Sequence, residues 1–178
     1  LGHSMGSFVV RTYCLKHEQG LSGVILSGTG HFEPLILNTA LGIADLQCLF
    51  GGEKKPSGLL AGMSFAGYNK AFEPARTEFD WLSRDTNIVD RYVADPYCGF
   101  PFTAGGYRDM FRGLKRLYPQ NLGMMDKDVP VRLFSGGADP VGARGAGVKT
   151  TMRELLDAGV KDVSMKLYED ARHETMNE

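Results

Sequence analysis

The chain has 178 residues, with 20 Lys and Arg against 21 Asp and Glu. That is the size of one domain, and a chain of roughly 150 residues buries about 68–70% of its unfolded surface. A formal net charge of −1 gives no electrostatic case for a nucleic acid or an anionic membrane as partner.

The opening stretch LGHSMGSFVV contains Gly2-His3-Ser4-Met5-Gly6, a G-x-S-x-G pattern with only Leu1 ahead of it. This is the form of a nucleophile elbow, a strand-to-helix turn that exposes a serine hydroxyl. A helix is predicted over residues 6–17, with Phe8, Val9, Tyr13 and Cys14 at helical spacing and Gly20 as its stop. Val24, Ile25 and Leu26 form a short, Gly-bounded apolar run, which reads as a buried strand.

From residue 31 to residue 126 the pattern changes. Helix-like segments such as LILNTALGIADLQCLF and TAGGYRDMFRGLKRLY alternate with Gly- and Pro-rich turns, and no convincing strand occurs. Strand character returns at VPVRLFSGGADP, through Val129, Val131, Leu133 and Phe134, and again at VSMKLYEDARHE, through Val163, Met165 and Leu167. Between them VKTTMRELLDAGV reads as an amphipathic helix ending at Gly159. Strands separated by helices predict a parallel α/β sheet of about three strands, with residues 1–30 and 127–178 as its core. Residues 31–126 would form a mostly helical lid inserted between them.

Several classes are set aside. No apolar run approaches the ~18 residues of a membrane span, so no integral membrane segment is expected. Cys14, Cys48 and Cys98 neither pair evenly nor show C-x-x-C spacing, which fits three reduced thiols in a cytoplasmic protein. His3, His17, His31 and His173 offer no H-x-x-x-H pair, so neither a metal nor a cofactor is expected. GARGAGVKT nearly spells a phosphate loop, but Val148 separates Gly147 from Lys149, which must directly follow the glycine to reach the terminal phosphates. SGTGH at residues 27–31 lacks dinucleotide spacing and reads as the exit from the sheet.

What remains is a set of three residues. Asp139 lies just after the strand VRLFSGG and His173 just after VSMKLYE, so Ser4, Asp139 and His173 follow the order Ser…Asp…His. Strand ends of a parallel sheet converge on one edge, where such distant residues meet. A serine hydroxyl needs a base, a histidine suits that task near neutrality, and the acid fixes the imidazole tautomer. The Met5 N–H would supply half of an oxyanion hole. Gly2 and Gly6 are expected to be required because side chains there would collide with neighbouring strand and helix. Each residue has a plainer alternative: Ser4 as a helix N-cap, Asp139 as the start of a turn before Pro140, His173 as a surface histidine. Asp126, Asp128 and Asp170 compete as the acid, though none follows a strand so directly.

GHSMGS, FSGGADPVG and LYEDARHETMNE, together with RTEFDWLSRDTNIVDRYVADPYCGFPFTAGGY, resemble the C-terminal part of a bacterial α/β-hydrolase. The group is the lysophospholipase and monoacylglycerol-lipase-like one, also classed with the serine aminopeptidases. The resemblance implies hydrolysis of a carboxylic ester, such as a monoacylglycerol or lysophospholipid, through an acyl-enzyme on Ser4. His173 would act as base and then acid, and Asp139 would orient it. The aromatic-rich lid would line an acyl pocket, with Phe100 and Phe102 over the site. Members carry upstream strands and a second oxyanion donor, so the chain is expected to be an excerpt with an exposed strand edge at residues 24–26. A peptidase of the aminopeptidase type and a non-catalytic binding protein of the same fold stay open.

Overall fold

A computed structural model describes residues 1–16 and 20–178. The strands β1 (Gly2–His3), β2 (Val24–Ser27), β3 (Val131–Gly136) and β4 (Val163–Tyr168) form one parallel sheet in the order β1-β2-β3-β4. The strand expected ahead of Ser4 is thus present as two residues, in register Gly2↔Leu26 and His3↔Ser27. It makes a fourth strand beside the three read from sequence. β3 pairs along all of β2, whereas β1 pairs only with Leu26 and Ser27, so the edge expected at residues 24–26 is covered at Leu26 and has no strand partner on that side at Val24 and Ile25 among the described residues. β1 and β4 are the edge strands, and the burial of β4 alternates between half-buried and exposed, whereas β3 buries Val131, Leu133 and Ser135.

Helix α1 (Met5–Cys14) follows the elbow and packs on β1 and β2. Its buried face runs through Ser7, Phe8, Arg11 and Cys14, while Val9 and Tyr13 are exposed. Of the four positions at helical spacing, Phe8 and Cys14 face the core and Val9 and Tyr13 do not, and a charged side chain, Arg11, shares the core side. Arg11 donates from Nη1 to the Gly30 carbonyl at 3.1 Å, and Thr151 Oγ1 donates to the same oxygen at 3.1 Å. Burial pushes the Arg11 guanidinium down to about 10, against the opposing charge of Glu154. The predicted end of this helix, at His17, lies outside the described residues.

The segment between β2 and β3 is helical. It contains α2 (Pro34–Gln47), a π turn at Cys48–Gly52, α3 (Gly58–Phe65), a 3-10 helix at Tyr68–Phe72, α4 (Thr86–Ala94), α5 (Ala104–Lys115) and α6 (Pro119–Leu122). α2 and α5 pack together through Leu37, Ala40 and Ala44 on one side and Tyr107, Phe111 and Leu114 on the other. One stretch is longer and more apolar than the runs read from the sequence. Pro34–Gly52 is a 19-residue helical stretch of mean hydropathy 1.4, long and apolar enough by length and composition to cross a membrane. The same stretch is packed against α5 along its buried stripe, and its backbone leaves helical geometry at Phe50 and Gly51. Finally α7 (Ala146–Asp157) lies against β3 and β4, and Gly159 takes a positive φ of 95° in the turn that follows.

Candidate active site

The C-terminal ends of the strands bring the sequence candidates to one edge of the sheet. Ser4 sits between β1 and α1 with φ 51° and ψ −124°, a backbone conformation that non-glycine residues rarely adopt. Such a residue costs on the order of 1–3 kcal/mol and persists only where its surroundings hold it. Here the Ser4 N–H donates to Ser27 O at 2.9 Å, and Ser7 donates from both N and Oγ to Ser4 O. Ser4 makes no side-chain capping bond to the helix it precedes, so the plain N-cap role is not the one it plays. Met5 is the first residue of α1, where the backbone N–H has no intrahelical acceptor.

The two elbow glycines differ. A Cβ on Gly2 would lie 2.4 Å from the Gly6 carbonyl oxygen, so any side chain there forces the turn apart. A Cβ on Gly6 meets no described atom within 4 Å, and the collision expected at that position does not occur.

Asp139 and His173 form a fully buried pair. The Nδ1–H of His173 donates to Asp139 Oδ2 at 2.9 Å. Ser135 Oγ donates to the same oxygen at 3.2 Å, and the Val141 N–H donates to Oδ1 at 2.9 Å. The competing carboxylates stand elsewhere: Asp128 pairs with Lys161 in solvent, and Asp170 is exposed. The far nitrogen of His173, Nε2, is buried and has no hydrogen-bond partner. An imidazole whose Nδ1–H is committed to a carboxylate presents Nε2 as an acceptor, which is the arrangement a general base requires.

The loop that carries His173 is tied down on two sides. Arg172 donates from Nη1 to the carbonyls of Asp80 and Ser83, and its guanidinium lies 4.2 Å from the centre of the Phe72 ring. The Glu174 N–H donates to Leu82 O at 2.8 Å. Trp81, from the same helical segment, has its ring centre 5.2 Å from that of His173, and Tyr68 packs on Trp81 at 5.0 Å. Burial and then the charge of Asp139 push the Tyr68 hydroxyl up to about 12, which keeps it neutral beside the pair. Phe102 stacks instead on Tyr107 inside the helical segment, at 5.5 Å, and Phe100 is exposed. The rings packed against the candidate base are Trp81 and His3, and Phe100 and Phe102, expected over the site, make no ring contact with it among the described residues. Trp81 stood among a run of aromatics with no spacing that marked it out.

Gly28 ends β2 with φ 57°, and a Cβ there would fall 2.8 Å from His173 Cε1 and 3.0 Å from Nδ1. Gly28→Ala therefore must displace the imidazole as well as adopt a strained backbone. The expected result is a loss of about 10²-fold in kcat, the cost of roughly 1 Å of misplacement at a reacting group. Hydrolysis of a p-nitrophenyl ester by the full-length variant, alongside its thermal melt, checks this.

A family model described as serine aminopeptidase, S33, matches residues 1–178. The chain belongs to that family. Solved structures carry the same α/β-hydrolase architecture as this S33 chain. A thermostable carboxyl esterase from Bacillus coagulans, in complex with glycerol, is 27% identical with a TM-score of 0.91, over 99% of this chain and 57% of its own. A lipase in an open form is 26% identical with a TM-score of 0.79, over 99% of this chain and 58% of its own. A monoacylglycerol lipase from Paleococcus ferrophilus, 22% identical with a TM-score of 0.65, shares the fold over 97% of this chain and 58% of its own. The S33 chain thus spans a little under three fifths of the length of these structures. No curated protein sequence matches it.

Proposed function

We propose that this chain carries the nucleophile, acid and base of a serine hydrolase acting on carboxylic esters. The observation that carries the reading is the buried His173–Asp139 bond, which leaves His173 Nε2 without a partner, with the strained Ser4 directly following His3, whose ring centre lies 4.8 Å from that of His173. In this scheme His173 Nε2 takes the Ser4 hydroxyl proton as Oγ attacks the ester carbonyl. The tetrahedral oxyanion accepts a hydrogen bond from the Met5 N–H, and the second donor would come from an upstream loop of the kind members of this group carry. His173 then gives its proton to the leaving alcohol, and water repeats the cycle on the acyl-enzyme. Asp139 holds the tautomer throughout and stabilises the imidazolium. Residues 31–126 act as a lid, with Trp81 and Tyr68 forming its floor over the base. Apolar acyl esters such as monoacylglycerols or lysophospholipids suit so aromatic a cover.

The description of the matching family as serine aminopeptidase favours a second reading, cleavage of N-terminal residues. One comparison separates the two. The full-length protein is given a panel of p-nitrophenyl esters of increasing acyl length and an aminoacyl-arylamide. Ester kcat/KM is expected to exceed that for the amide by more than about 100-fold, because a p-nitrophenyl ester is intrinsically far more reactive toward a serine nucleophile than an arylamide. An amide rate equal to or above the ester rate would transfer the proposal to the peptidase.

A further inference from the structure

The first of the two unspecified letters of the G-x-S-x-G pattern is a histidine, His3, and it joins the residue that follows the candidate base. His3 Nε2 donates to Glu174 Oε1 at 3.1 Å, across 171 positions of sequence. The residue before the nucleophile is thereby bonded to the residue after the base. The pair is mostly shielded, with each side chain 21% exposed, unlike Lys161–Asp128 at 69% and 76%. Surface pairs of the latter kind contribute little, whereas shielded, geometrically fixed ones can hold a structure in register.

Both members have further anchors. His3 Nδ1 faces Ser27 Oγ at 3.1 Å, and Ser27 Oγ lies 3.4 Å from Thr175 Oγ1. Glu174 Oε2 accepts from Asn177 Nδ2 at 2.6 Å, and its backbone N–H is held by Leu82 O. The hydrogen bond from His3 holds the Glu174 carboxyl below its usual range, so the carboxylate is the resident form. The His3 ring also lies against the His173 ring, with centres 4.8 Å apart. Gly28 leaves room for both, since a Cβ there would meet His173 at 2.8 Å and His3 Cε1 at 3.1 Å.

We infer that His3 and Glu174 form a cross-brace that sets the separation of Ser4 from His173, resting on the serine-hydrolase reading above. They are positioning residues: Glu174 acts through the loop that carries His173, and His3 acts through its bond to Glu174 and its ring packed on that of His173. Ser27 Oγ, with Thr175 Oγ1 behind it, meets the other ring nitrogen of His3, so the ring is fixed at both nitrogens.

The test is a double-mutant cycle in the full-length protein, following kcat, KM, the rate of fluorophosphonate adduct formation at Ser4, and thermal midpoint. His3→Ala and Glu174→Ala should each lower kcat and the adduct rate by about 10- to 100-fold, with KM altered less than about twofold. The double variant should be no slower than the worse single one, since either change breaks the same link. Glu174→Gln keeps an oxygen that accepts from His3 Nε2–H, so it should recover most of the rate lost in Glu174→Ala. Additive losses, or alanine variants that melt earlier yet react at the wild-type rate per folded molecule, would overturn the brace. A wild-type protein that forms no fluorophosphonate adduct would instead overturn the hydrolase reading, so the two failures are distinct.

Discussion

Replacing His173 by alanine is expected to lower kcat by on the order of 10⁵- to 10⁶-fold and to abolish the fluorophosphonate adduct at Ser4. The magnitude follows from how serine-base pairs behave as a unit, where loss of either member costs about as much as loss of both. Among the described residues no second imidazole has a free ring nitrogen beside it. His3 is the neighbouring histidine, but its Nε2 is bonded to Glu174 and its Nδ1 faces Ser27. The residual rate would be what binding and the Met5 N–H supply, typically 10³- to 10⁴-fold over water in such sites. Ser4→Ala should fall to the same level, and the double variant no lower. Because the His173 ring also packs on Trp81 and His3, His173→Gln serves as a fuller-sized companion, with circular dichroism reporting the fold. A loss under about 100-fold in both variants would remove His173 as the base.

The parts of this site that were legible in the sequence are those dictated by short-range pattern. The strands at residues 131–136 and 163–168 announced themselves by apolar alternation followed by Gly- and Asp-rich loops, and the structure places them as β3 and β4. Asp139 and His173 were found because they follow those strands, and parallel strands deliver their ends to one edge. What spacing does not contain is which distant side chains meet. The approach of Trp81 to His173, and the bond from His3 to Glu174, depend on how the helical segment and the loop after β4 settle over the sheet. The buried face of α1 is legible only in part for a related reason. Arg11 donates to the Gly30 carbonyl of a different element, which draws its charge into the interior while Val9 stays outside. Gly6 shows the converse, a motif residue whose required smallness has no counterpart among the described neighbours.

Asp139→Asn is expected to lower kcat by about 10⁴-fold with little change in KM, although the side chain keeps its size. The hydrogen-bond inventory explains why so small a change is severe. Three donors converge on this carboxylate: His173 Nδ1–H and Ser135 Oγ–H on Oδ2, and the Val141 N–H on Oδ1. A carboxylate accepts on both oxygens, but an asparagine must turn its NH₂ toward one side or the other. Facing Val141 it would set donor against donor in a buried site, where an unsatisfied group costs about 1–3 kcal/mol. The amide therefore settles with its oxygen on the Val141 N–H and its NH₂ toward His173. That forces His173 Nδ1 to become the acceptor and moves the proton to Nε2, where it blocks removal of the Ser4 proton. The fold survives, because Ser135 Oγ can rotate its hydrogen elsewhere and the Val141 bond is retained. Two readings of one sample check the argument: ester turnover, and the low-field proton resonance of the Nδ1–H bond, which should vanish in the variant. Turnover within about tenfold of the wild type would show that Asp139 does not orient the base.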